Sequence, residues 1–444
     1  MNHMNFKTFR GGIHPGHFKS ATEKKPVVPA RPPAMVIIPM GQHIGAPCEP
    51  LVAVGEEVKM GQKIGDSQGF VSAPVHASVS GKVAKIAPCN HPLGRPVKAV
   101  YIESDGQDTW HEDVQPNPGW EELSVEELKK VIREAGIVGM GGATFPTHVK
   151  LSPPPGAKID YVLINGAECE PYLTSDHRAM LERADEIANG LKIIMKVLHA
   201  PQGYIGVEDN KPDAVEALKK AAAGMSNVEV HALHTKYPQG AEKQLIKVFT
   251  GREVPSGGLP SAVGCVVQNV GTCIAVYEAV RFGKPLIERI VTITGAGISE
   301  PQNMLVRVGT PMEEVIAQCG GLRPNIRKVV LGGPMMGLAQ AGLENFPVIK
   351  GTSGILCLTD QEVVLHDIQP CIKCGKCVDG CPVSIMPLFI GSAVEQGLYD
   401  RAEASSAMDC IECGCCAYVC PAKRPLVQWI RMSKGDIAAK RAKK

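Results

Sequence analysis

This sequence has few aromatic residues, little excess of charge of one sign and few long apolar runs. Phe, Trp and Tyr make up 5% of the 444 residues and the formal net charge is +2, which gives no electrostatic reason to expect nucleic-acid binding. The N-terminal stretch MNHMNFKTFRGG lacks the apolar segment of a signal peptide, so we expect no secretory leader. The one candidate membrane span, 262–280, includes Gln268 and Asn269 and predicts a buried loop and helix instead.

Glycine, proline and cysteine, by contrast, are plentiful. With 47 glycines and 35 prolines in 444 residues, the chain is expected to form several small domains rather than one large core. Nine of the 16 cysteines follow residue 370. Cytosolic thiols remain reduced unless they bind metal or react, so this concentration predicts metal binding rather than disulfides.

The late cysteines form two copies of one pattern, CIKCGKCVDGCP from Cys371 and CIECGCCAYVCP from Cys410, 39 residues apart. Each copy has the spacing C-x2-C-x2-C-x3-C-P of ferredoxins with two [4Fe–4S] clusters, in which the fourth cysteine of a run ligates the other cluster. The predicted ligands are Cys371, Cys374, Cys377 and Cys420 for one cluster, and Cys410, Cys413, Cys416 and Cys381 for the other. Cys415 lies outside the pattern. Zinc sites or a disulfide knot are the alternatives, but zinc favours two C-x2-C pairs with a longer gap between them.

The middle of the chain predicts an α/β domain with a glycine-rich ligand loop. Ser124 and Glu127 form a capping box at the start of a helix. The segment GMGGATFPTHVK, from Gly139, contains three glycines that let a backbone approach a flat or phosphorylated ligand. A short apolar strand, 159–164, opens into the acidic loop NGAECEP. Ligands of α/β sheets gather where strands end, so both loops are candidate binding segments.

Taken in order, GMGGATFPTHVK, NGAECEP, YPQGAEKQLI and QNVGT resemble the flavin and nicotinamide site of the NADH-oxidising subunit of respiratory complex I. The resemblance implies a Rossmann-type domain that binds NAD(H) and, without a covalent bond, FMN. It assigns the flavin loop to Gly139, Gly141, Gly142 and Lys150, the isoalloxazine and ribityl contacts to Asn165 and Glu168, the rest of the FMN pocket to Gly240, Glu242, Asn269 and Thr272, and the dinucleotide contacts to Phe145 and Glu170. No side chain is expected to act as a catalytic acid or base. Thr144 and Gly271 depart from the complex I pattern, which usually has glycine and glutamate there.

Two further segments resemble small β domains. Residues 1–115 read as short strands joined by glycine turns and resemble a lipoyl-type barrel-sandwich hybrid. The lysine that such domains modify is missing, because the hairpin region reads SAPVH from Ser72 to His76. A docking or structural role is therefore expected instead of a carrier role. Residues 286–345 resemble the β-grasp (SLBB) domain that follows the flavin domain in the complex I subunit.

The predicted architecture is multidomain α/β plus β. Its parts are a barrel-sandwich hybrid (1–115), a complex-I-like Rossmann-type FMN/NADH domain (120–285), a β-grasp domain (286–345), a helical two-cluster ferredoxin domain (362–430) and a basic tail (431–444). Together with the opening FRGGIHP, this order closely resembles the C subunit of the Rnf electron-transport complex. The tail is expected to be a solvated end or to dock onto a membrane partner or anionic lipid headgroups.

The resemblance implies a peripheral subunit, on the cytoplasmic face of a bacterial or archaeal cell membrane, of an ion-translocating NAD:ferredoxin oxidoreductase. Hydride would pass between NAD(H) and FMN, and single electrons between FMN and two clusters. The expected partners are other subunits of that complex, including an iron–sulfur subunit, and ferredoxin indirectly, with no nucleic acid and no transmembrane segment in the chain. Two alternatives stay open: a soluble flavin and iron–sulfur protein of the cobalamin reductase type, and a non-enzymatic iron–sulfur wiring subunit with a vestigial flavin site.

Overall fold

The computed structural model describes residues 7–92, 94–363 and 366–442. Within these ranges the chain forms four β-sheets and a helical C-terminal part. The first six residues, which include half of the stretch tested for a signal peptide, lie outside the described residues, as do the last two of the predicted tail.

The N-terminal segment forms two small antiparallel sheets. Its strands are β1 (Val27–Pro29), β2 (Met35–Pro39), β3 (Glu49–Pro50), β4 (Glu57–Val58), β5 (Lys63–Asp66), β6 (Val75–His76), β7 (Gly81–Cys89) and β8 (Val97–Ser104). One sheet has the order β2-β8-β7-β4 and the other β3-β5-β6, whereas β1 joins a later sheet. Val36, Ile38 and Ile102 are completely buried between the sheets, as the alternation of strand side chains requires.

The segment that would carry a modified lysine in a lipoyl-type domain is buried. Ser72 and His76 are both inaccessible to solvent apart from a few per cent of their surface. The ammonium group of Lys350 donates hydrogen bonds to the carbonyls of Pro74 and Gly136, at 2.6 and 2.7 Å. These two bonds join three segments far apart in sequence, which gives the hairpin region a structural contact.

The middle segment is a parallel four-stranded sheet with helices on both faces. Its elements are α1 (Val125–Glu134), α2 (Thr147–Lys150), β9 (Tyr161–Gly166), α3 (Ser175–Glu182), α4 (Ala184–Leu198), β10 (Gln202–Glu208), α5 (Pro212–Ala221), β11 (Val228–Leu233), α6 (Glu242–Thr250), β12 (Cys265–Asn269) and α7 (Val270–Phe282). The strand order is β11-β10-β9-β12. Ile164 of β9 packs in the core with α1, α4 and α7, while its neighbour Leu163 packs with α6. Burial on both faces explains the unbroken apolar strand in the sequence. The predicted capping box at Ser124 and Glu127 is present.

The candidate membrane span is a buried strand followed by a helix. Its first part is β12, which pairs in parallel with β9, where the sequence predicted a loop. Its second part is α7, as predicted. Among the residues that the structure describes, no helix is both long enough and apolar enough to cross a membrane.

The next segment forms a six-stranded mixed sheet. Its elements are β13 (Glu288–Thr294), β14 (Gln302–Arg307), α8 (Met312–Gln318), β15 (Ile326–Leu331), β16 (Leu338–Gln340) and β17 (Gly354–Thr359). The order is β1-β14-β13-β17-β15-β16, so β17 lies at the centre of the sheet although it follows the predicted boundary at 345. β1 pairs with β14 in parallel, which ties the N-terminal segment to this sheet.

The cysteine-rich segment is helical, with α9 (Lys376–Asp379), α10 (Pro387–Glu395), α11 (Tyr399–Ala404), α12 (Cys415–Tyr418) and α13 (Leu426–Ala442). The predicted tail is most of α13 and packs on the cysteine-rich segment. Leu426, Ile430 and Ile437 are buried at helical spacing against α10 and α11. Arg441, four residues after Ile437, pairs with Glu403 of α11. Because the basic residues lie on a helix that has an apolar face, the described part of the tail is an element of the fold.

Candidate functional site

Two of the predicted binding segments meet at one edge of the parallel sheet. β9 and β12 are neighbours, and Asn165 at the end of β9 lies opposite Asn269 at the end of β12. Because the strands are parallel, the loops that follow them open at the same edge, where ligands bind in α/β folds. The acidic loop after β9 and the first turn of α7 therefore border the same space.

The glycine loop lies against the start of α7. The Gly139 amide donates to the Phe145 carbonyl at 2.8 Å, which closes the loop, and the Met140 amide donates to the Thr272 hydroxyl at 3.0 Å. A Cβ atom at Gly141 would lie 3.0 Å from the Asn269 side chain, whereas one at Gly142 would have no heavy atom within 4 Å. One side of the loop is thus packed on the fold, and the other is free for a flat ligand.

Four other predicted pocket residues come together beside this loop. The Asn165 amide group donates to the Gly240 carbonyl at 2.8 Å, and the Lys150 ammonium group lies 2.6 Å from the Glu242 carboxylate. Gln239 is completely buried, and neither its amide nitrogen nor its oxygen has a partner among the described residues. Buried polar atoms are rarely left without partners, so these residues fit a pocket that receives a polar group such as the flavin.

Glu168 is engaged by the protein itself. Its carboxylate accepts hydrogen bonds from the amides of Asp176 and His177, at 2.6 and 3.2 Å, at the start of α3. Burial raises the pKa of this carboxyl to about 7, and the nearby Lys19 ammonium, 3.7 Å away, opposes that rise. The structure shows this carboxylate at a helix N-terminus, so its predicted contact with the isoalloxazine or ribityl group stays a prediction.

Glu170 holds a loop of the mixed sheet. Its carboxylate accepts hydrogen bonds from the amides of Met335 and Met336, at 3.0 and 2.9 Å, in the turn between β15 and β16. Burial raises the pKa of this carboxyl to about 7, which the two amides oppose. Our sequence analysis missed this turn, although GGPMMG between two strands was a glycine-rich signal. The predicted contact of Glu170 with the dinucleotide stays a prediction, as does that of the half-buried Phe145.

The eight predicted cluster ligands line two separate cavities. A cavity of about 410 Å³ is lined by Cys371, Cys374, Cys377 and Cys420, and one of about 300 Å³ by Cys381, Cys410, Cys413 and Cys416, together with Cys415. In each cavity, the fourth predicted ligand comes from the other cysteine run. In the described part of the chain, no three Cys, His, Asp or Glu side chains converge on one point as they would around a single metal ion. A four-iron cubane instead needs its thiolates spread around it, and the two cavities offer that arrangement.

The two runs also share one backbone path. Lys373, Gly375 and Ser384 have φ of +53°, +77° and +58°, and the matching residues Glu412, Gly414 and Lys423 have +58°, +79° and +53°. Left-handed residues at the same three positions, in copies 39 residues apart, show that both loops wrap their cavities in the same way.

The 300 Å³ cavity, here called the inner cavity, is lined by cysteines that pack on the flavin-site loops. The Tyr237 hydroxyl donates to the Cys413 carbonyl at 2.9 Å, and the Cys169 thiol next to Glu168 accepts from the Gly240 amide at 3.4 Å. The 410 Å³ cavity, here called the outer cavity, opens to solvent: Cys371 and Cys374 are both exposed. The inner cavity therefore contacts the flavin-site loops, and the outer cavity faces outward.

The stretch FRGGIHP joins the flavin-site loops to the inner cavity. The Gly12 amide donates to the Gly380 carbonyl at 3.1 Å, next to Cys381, and Ile13 exchanges two backbone hydrogen bonds with Tyr237, at 2.8 and 2.9 Å. Gly11 has φ +77°, and a Cβ atom there would lie 2.5 Å from the Cys381 carbonyl oxygen. Only glycine permits this close approach.

Gly11→Ala should therefore lower the midpoint of thermal unfolding and weaken iron retention. Gly94→Ala is the matched control, because Gly94 has nearly the same φ, +76°, but nothing within 4 Å of its Cβ position. Both variants strain the backbone, but only Gly11→Ala adds a clash. We therefore expect the thermal midpoint of Gly11→Ala to lie about 5 °C below that of Gly94→Ala. Equal midpoints and equal iron content in the two variants would contradict the role of this contact.

Models of four protein families match the chain in sequence order. They are the RnfC barrel sandwich hybrid domain over 7–107, the Nuo51 FMN-binding domain over 132–278, the SLBB domain over 290–339 and a 4Fe–4S dicluster domain over 363–421. These matches confirm the predicted fold class and the predicted FMN and 4Fe–4S cofactors, while the domain boundaries stay predictions. The fold and the site together define a multidomain flavin and iron–sulfur electron-transfer protein.

Curated relatives cover nearly the whole chain. The chain is 53% identical over 431 residues to the C subunit of the proton-translocating ferredoxin:NAD⁺ oxidoreductase complex of Clostridium ljungdahlii, which covers 97% of this chain and 94% of that protein. It is 52% identical over 442 residues to the C subunit of the Na⁺-translocating ferredoxin:NAD⁺ oxidoreductase complex of Acetobacterium woodii. This match covers 99% of this chain and 100% of that protein. It is 43% identical to the C subunit of the ion-translocating oxidoreductase complex of Rhodobacter capsulatus. This match covers 98% of this chain and 84% of that protein. The chain belongs to this family of C subunits of Rnf-type ion-translocating oxidoreductase complexes.

Among solved structures, the fold is similar to NAD⁺-reducing [NiFe]-hydrogenase. The match to its air-oxidised state has a TM-score of 0.51 at 18% identity and covers 71% of this chain and 64% of that chain. The match to its H₂-reduced state has the same TM-score at 17% identity, covering 74% and 69%. At this level of identity the likeness shows the fold alone.

Proposed function

We propose that this chain exchanges hydride between NAD(H) and FMN and passes single electrons through two [4Fe–4S] clusters to or from other subunits of an ion-translocating NAD:ferredoxin oxidoreductase. The observation that carries the proposal is the contact between the flavin-site loops and the inner cavity. Tyr237 follows β11 in the flavin domain, and its hydroxyl holds the backbone of Cys413 at 2.9 Å. Redox groups bound on the two sides of this contact would be neighbours.

The chain's own residues would mainly position the reactants. FMN, when bound, supplies a carrier that exchanges hydride with nicotinamides and single electrons with clusters. Gly141 and Gly142 offer it a flat surface, and Asn165 and the pair of Lys150 and Glu242 offer polar edges. Phe145 and Glu170 are proposed to face the dinucleotide. Since hydride transfer requires alignment of two rings and no proton transfer at a side chain, we assign no catalytic acid or base.

The eight cysteines are proposed to hold one cluster in each cavity, with Cys381 and Cys420 crossing between the runs. The inner cluster would exchange electrons with the flavin. The outer cluster would exchange them with a partner, since Cys371 and Cys374 are exposed. Exposed side chains of Ile372 and Lys373 line this opening. An apolar and basic rim suits an iron–sulfur subunit with an acidic docking surface.

The names of the relatives support the proposed setting. They describe subunits of ion-translocating complexes, two of them ferredoxin:NAD⁺ oxidoreductases. We therefore propose a peripheral position on the cytoplasmic face of the cell membrane, with other subunits of the complex as direct partners and ferredoxin as an indirect one. None of the relatives described above is named a cobalamin reductase, so that alternative has no support from them.

An anaerobic titration with NADH tests the proposal. The purified, iron-reconstituted protein should contain one FMN and about eight irons. Addition of NADH should bleach the flavin absorbance and then the broad absorbance of the clusters. Iron without flavin, or flavin that does not bleach, would leave a protein that only conducts electrons between partners, which is the wiring alternative. Zinc in place of iron would overturn the cluster assignment.

A further inference from the structure

Arg289 is a buried cation without a carboxylate partner. It lies on β13 of the mixed sheet, and only 5% of its surface is exposed. Its guanidinium donates two long hydrogen bonds, 3.4 Å each, to the carbonyls of Met140 and Thr352. Among the residues that the structure describes, no carboxylate oxygen lies within 4 Å of its nitrogens. A buried charge in this state is costly unless another group compensates it.

Other buried cations in the described part of the chain are better satisfied. Lys19 lies 3.7 Å from the Glu168 carboxylate, and Lys211 lies 3.3 Å from that of Glu208. Lys350 has no carboxylate, but its two hydrogen bonds to carbonyls are short, 2.6 and 2.7 Å. Arg289 combines long hydrogen bonds with the lack of an anion. Burial lowers its pKa to about 10, and the negative charge of Asp176 offsets this only in part.

The unsatisfied side of the guanidinium points to the first turn of α7. The Nη1 atom has no acceptor among the described residues and lies 3.5 Å from the position that a Cβ atom of Gly271 would take. Gly271 is the second residue of α7, a helix of 13 residues whose N-terminus carries positive potential. The Gly271 amide itself donates to the Asn269 side chain at 2.8 Å. Through Met140, the same guanidinium also contacts the glycine loop. The guanidinium and the N-terminus of α7 thus converge on one space beside the flavin loop.

We propose that Arg289 binds the phosphate group of FMN, together with the N-terminus of α7. The inference rests on the proposed function, because it requires FMN in this pocket. A phosphate supplies the missing anion, and its oxygens match the planar donors of a guanidinium. Arg289 belongs to the domain that follows the flavin domain, so the bound cofactor would join the two domains. The phosphates of NAD(H) have the same chemistry, and the experiment must distinguish the two sources.

The test compares FMN with riboflavin, which lacks only the phosphate. Flavin is removed from the cluster-loaded full chain, and each flavin is titrated back while its fluorescence quenching is followed, without NADH. Arg289→Met should weaken FMN binding about 10- to 100-fold and leave riboflavin binding unchanged. Arg289→Lys, which keeps the charge, should weaken FMN binding less than Arg289→Met does. Arg307→Met is the matched control: Arg307 lies on the neighbouring strand and pairs with Asp108, so neither flavin should be affected.

Stability provides a second readout. Because Arg289→Met removes an unpaired buried charge, the thermal midpoint of the flavin-free protein should not fall, whereas FMN should stabilise this variant less than the wild type. Equal losses for FMN and riboflavin, or unchanged FMN affinity, would overturn the phosphate role. Unchanged FMN affinity together with weaker NADH binding, measured in a separate titration of the FMN-loaded variant, would overturn it in favour of the dinucleotide phosphates. If the wild type binds FMN and riboflavin equally well, the inference fails while the proposed function stands; if it binds neither, both fail.

Discussion

Cys420→Ser should remove the cluster of the first cysteine run and spare that of its own run. The structure places Cys420 on the outer cavity, with Cys371, Cys374 and Cys377, although it lies in the second run. Since a cubane requires four thiolates, the variant should retain about four of about eight irons. Cys381→Ser should have the converse effect on the inner cavity, which Cys381 lines.

Double variants show which cluster is lost. Cys374→Ser and Cys420→Ser should damage the same cluster, so the double variant should still retain about four irons. Combining Cys420→Ser with Cys413→Ser should remove both clusters. Cys415→Ala is the control, because Cys415 lines the inner cavity but lies outside the repeated spacing. If each run ligated its own cluster, the Cys374→Ser and Cys420→Ser double variant would lose both clusters, and the Cys413→Ser and Cys420→Ser double variant would keep one. Iron loss in Cys415→Ala would show that the ligand set is wrong.

Loss of the inner cluster should disconnect the outer cluster from NADH. Only the inner cavity contacts the flavin-site loops in the described structure, through Tyr237 and Cys413. Single-electron transfer slows steeply as the gap between donor and acceptor widens. In Cys413→Ser, NADH should therefore still bleach the flavin, while reduction of the outer cluster becomes much slower than in the wild type. In Cys374→Ser, by contrast, the inner cluster should be reduced at the wild-type rate.

Stopped-flow absorbance, with paramagnetic resonance on rapidly frozen samples, measures both steps. Dithionite serves as the control, because it should reduce the remaining cluster in either variant and so show that this cluster is intact. Rapid reduction of the outer cluster in Cys413→Ser, together with slow reduction of the inner one in Cys374→Ser, would mean that the order of the clusters is the reverse.

Local spacing was sufficient to predict the cluster segment, whereas the order of the domains came from the resemblance to the complex I and Rnf subunits. The two cysteine runs specify short loops in which neighbouring thiolates face one cavity, and both loops have the same left-handed residues. The glycine loop was also predicted from the sequence, because its three glycines lie within four residues, Gly139 to Gly142. Such features depend on residues within one loop or on a repeated pattern, which a sequence displays directly.

Tertiary structure alone decided how the predicted groups are used. The contacts of Glu168 and Glu170 with the cofactors stay predictions, and the structure adds that backbone amides of α3 and of the turn between β15 and β16 hold their carboxylates. The basic tail is a packed helix because the apolar residues of α13 pack against α10 and α11. Arg289 gave no sequence signal, since its position beside Gly271 depends on how two domains pack together. Contacts of this kind join residues far apart in the chain, and their geometry follows from the packing of whole domains, which no local pattern records.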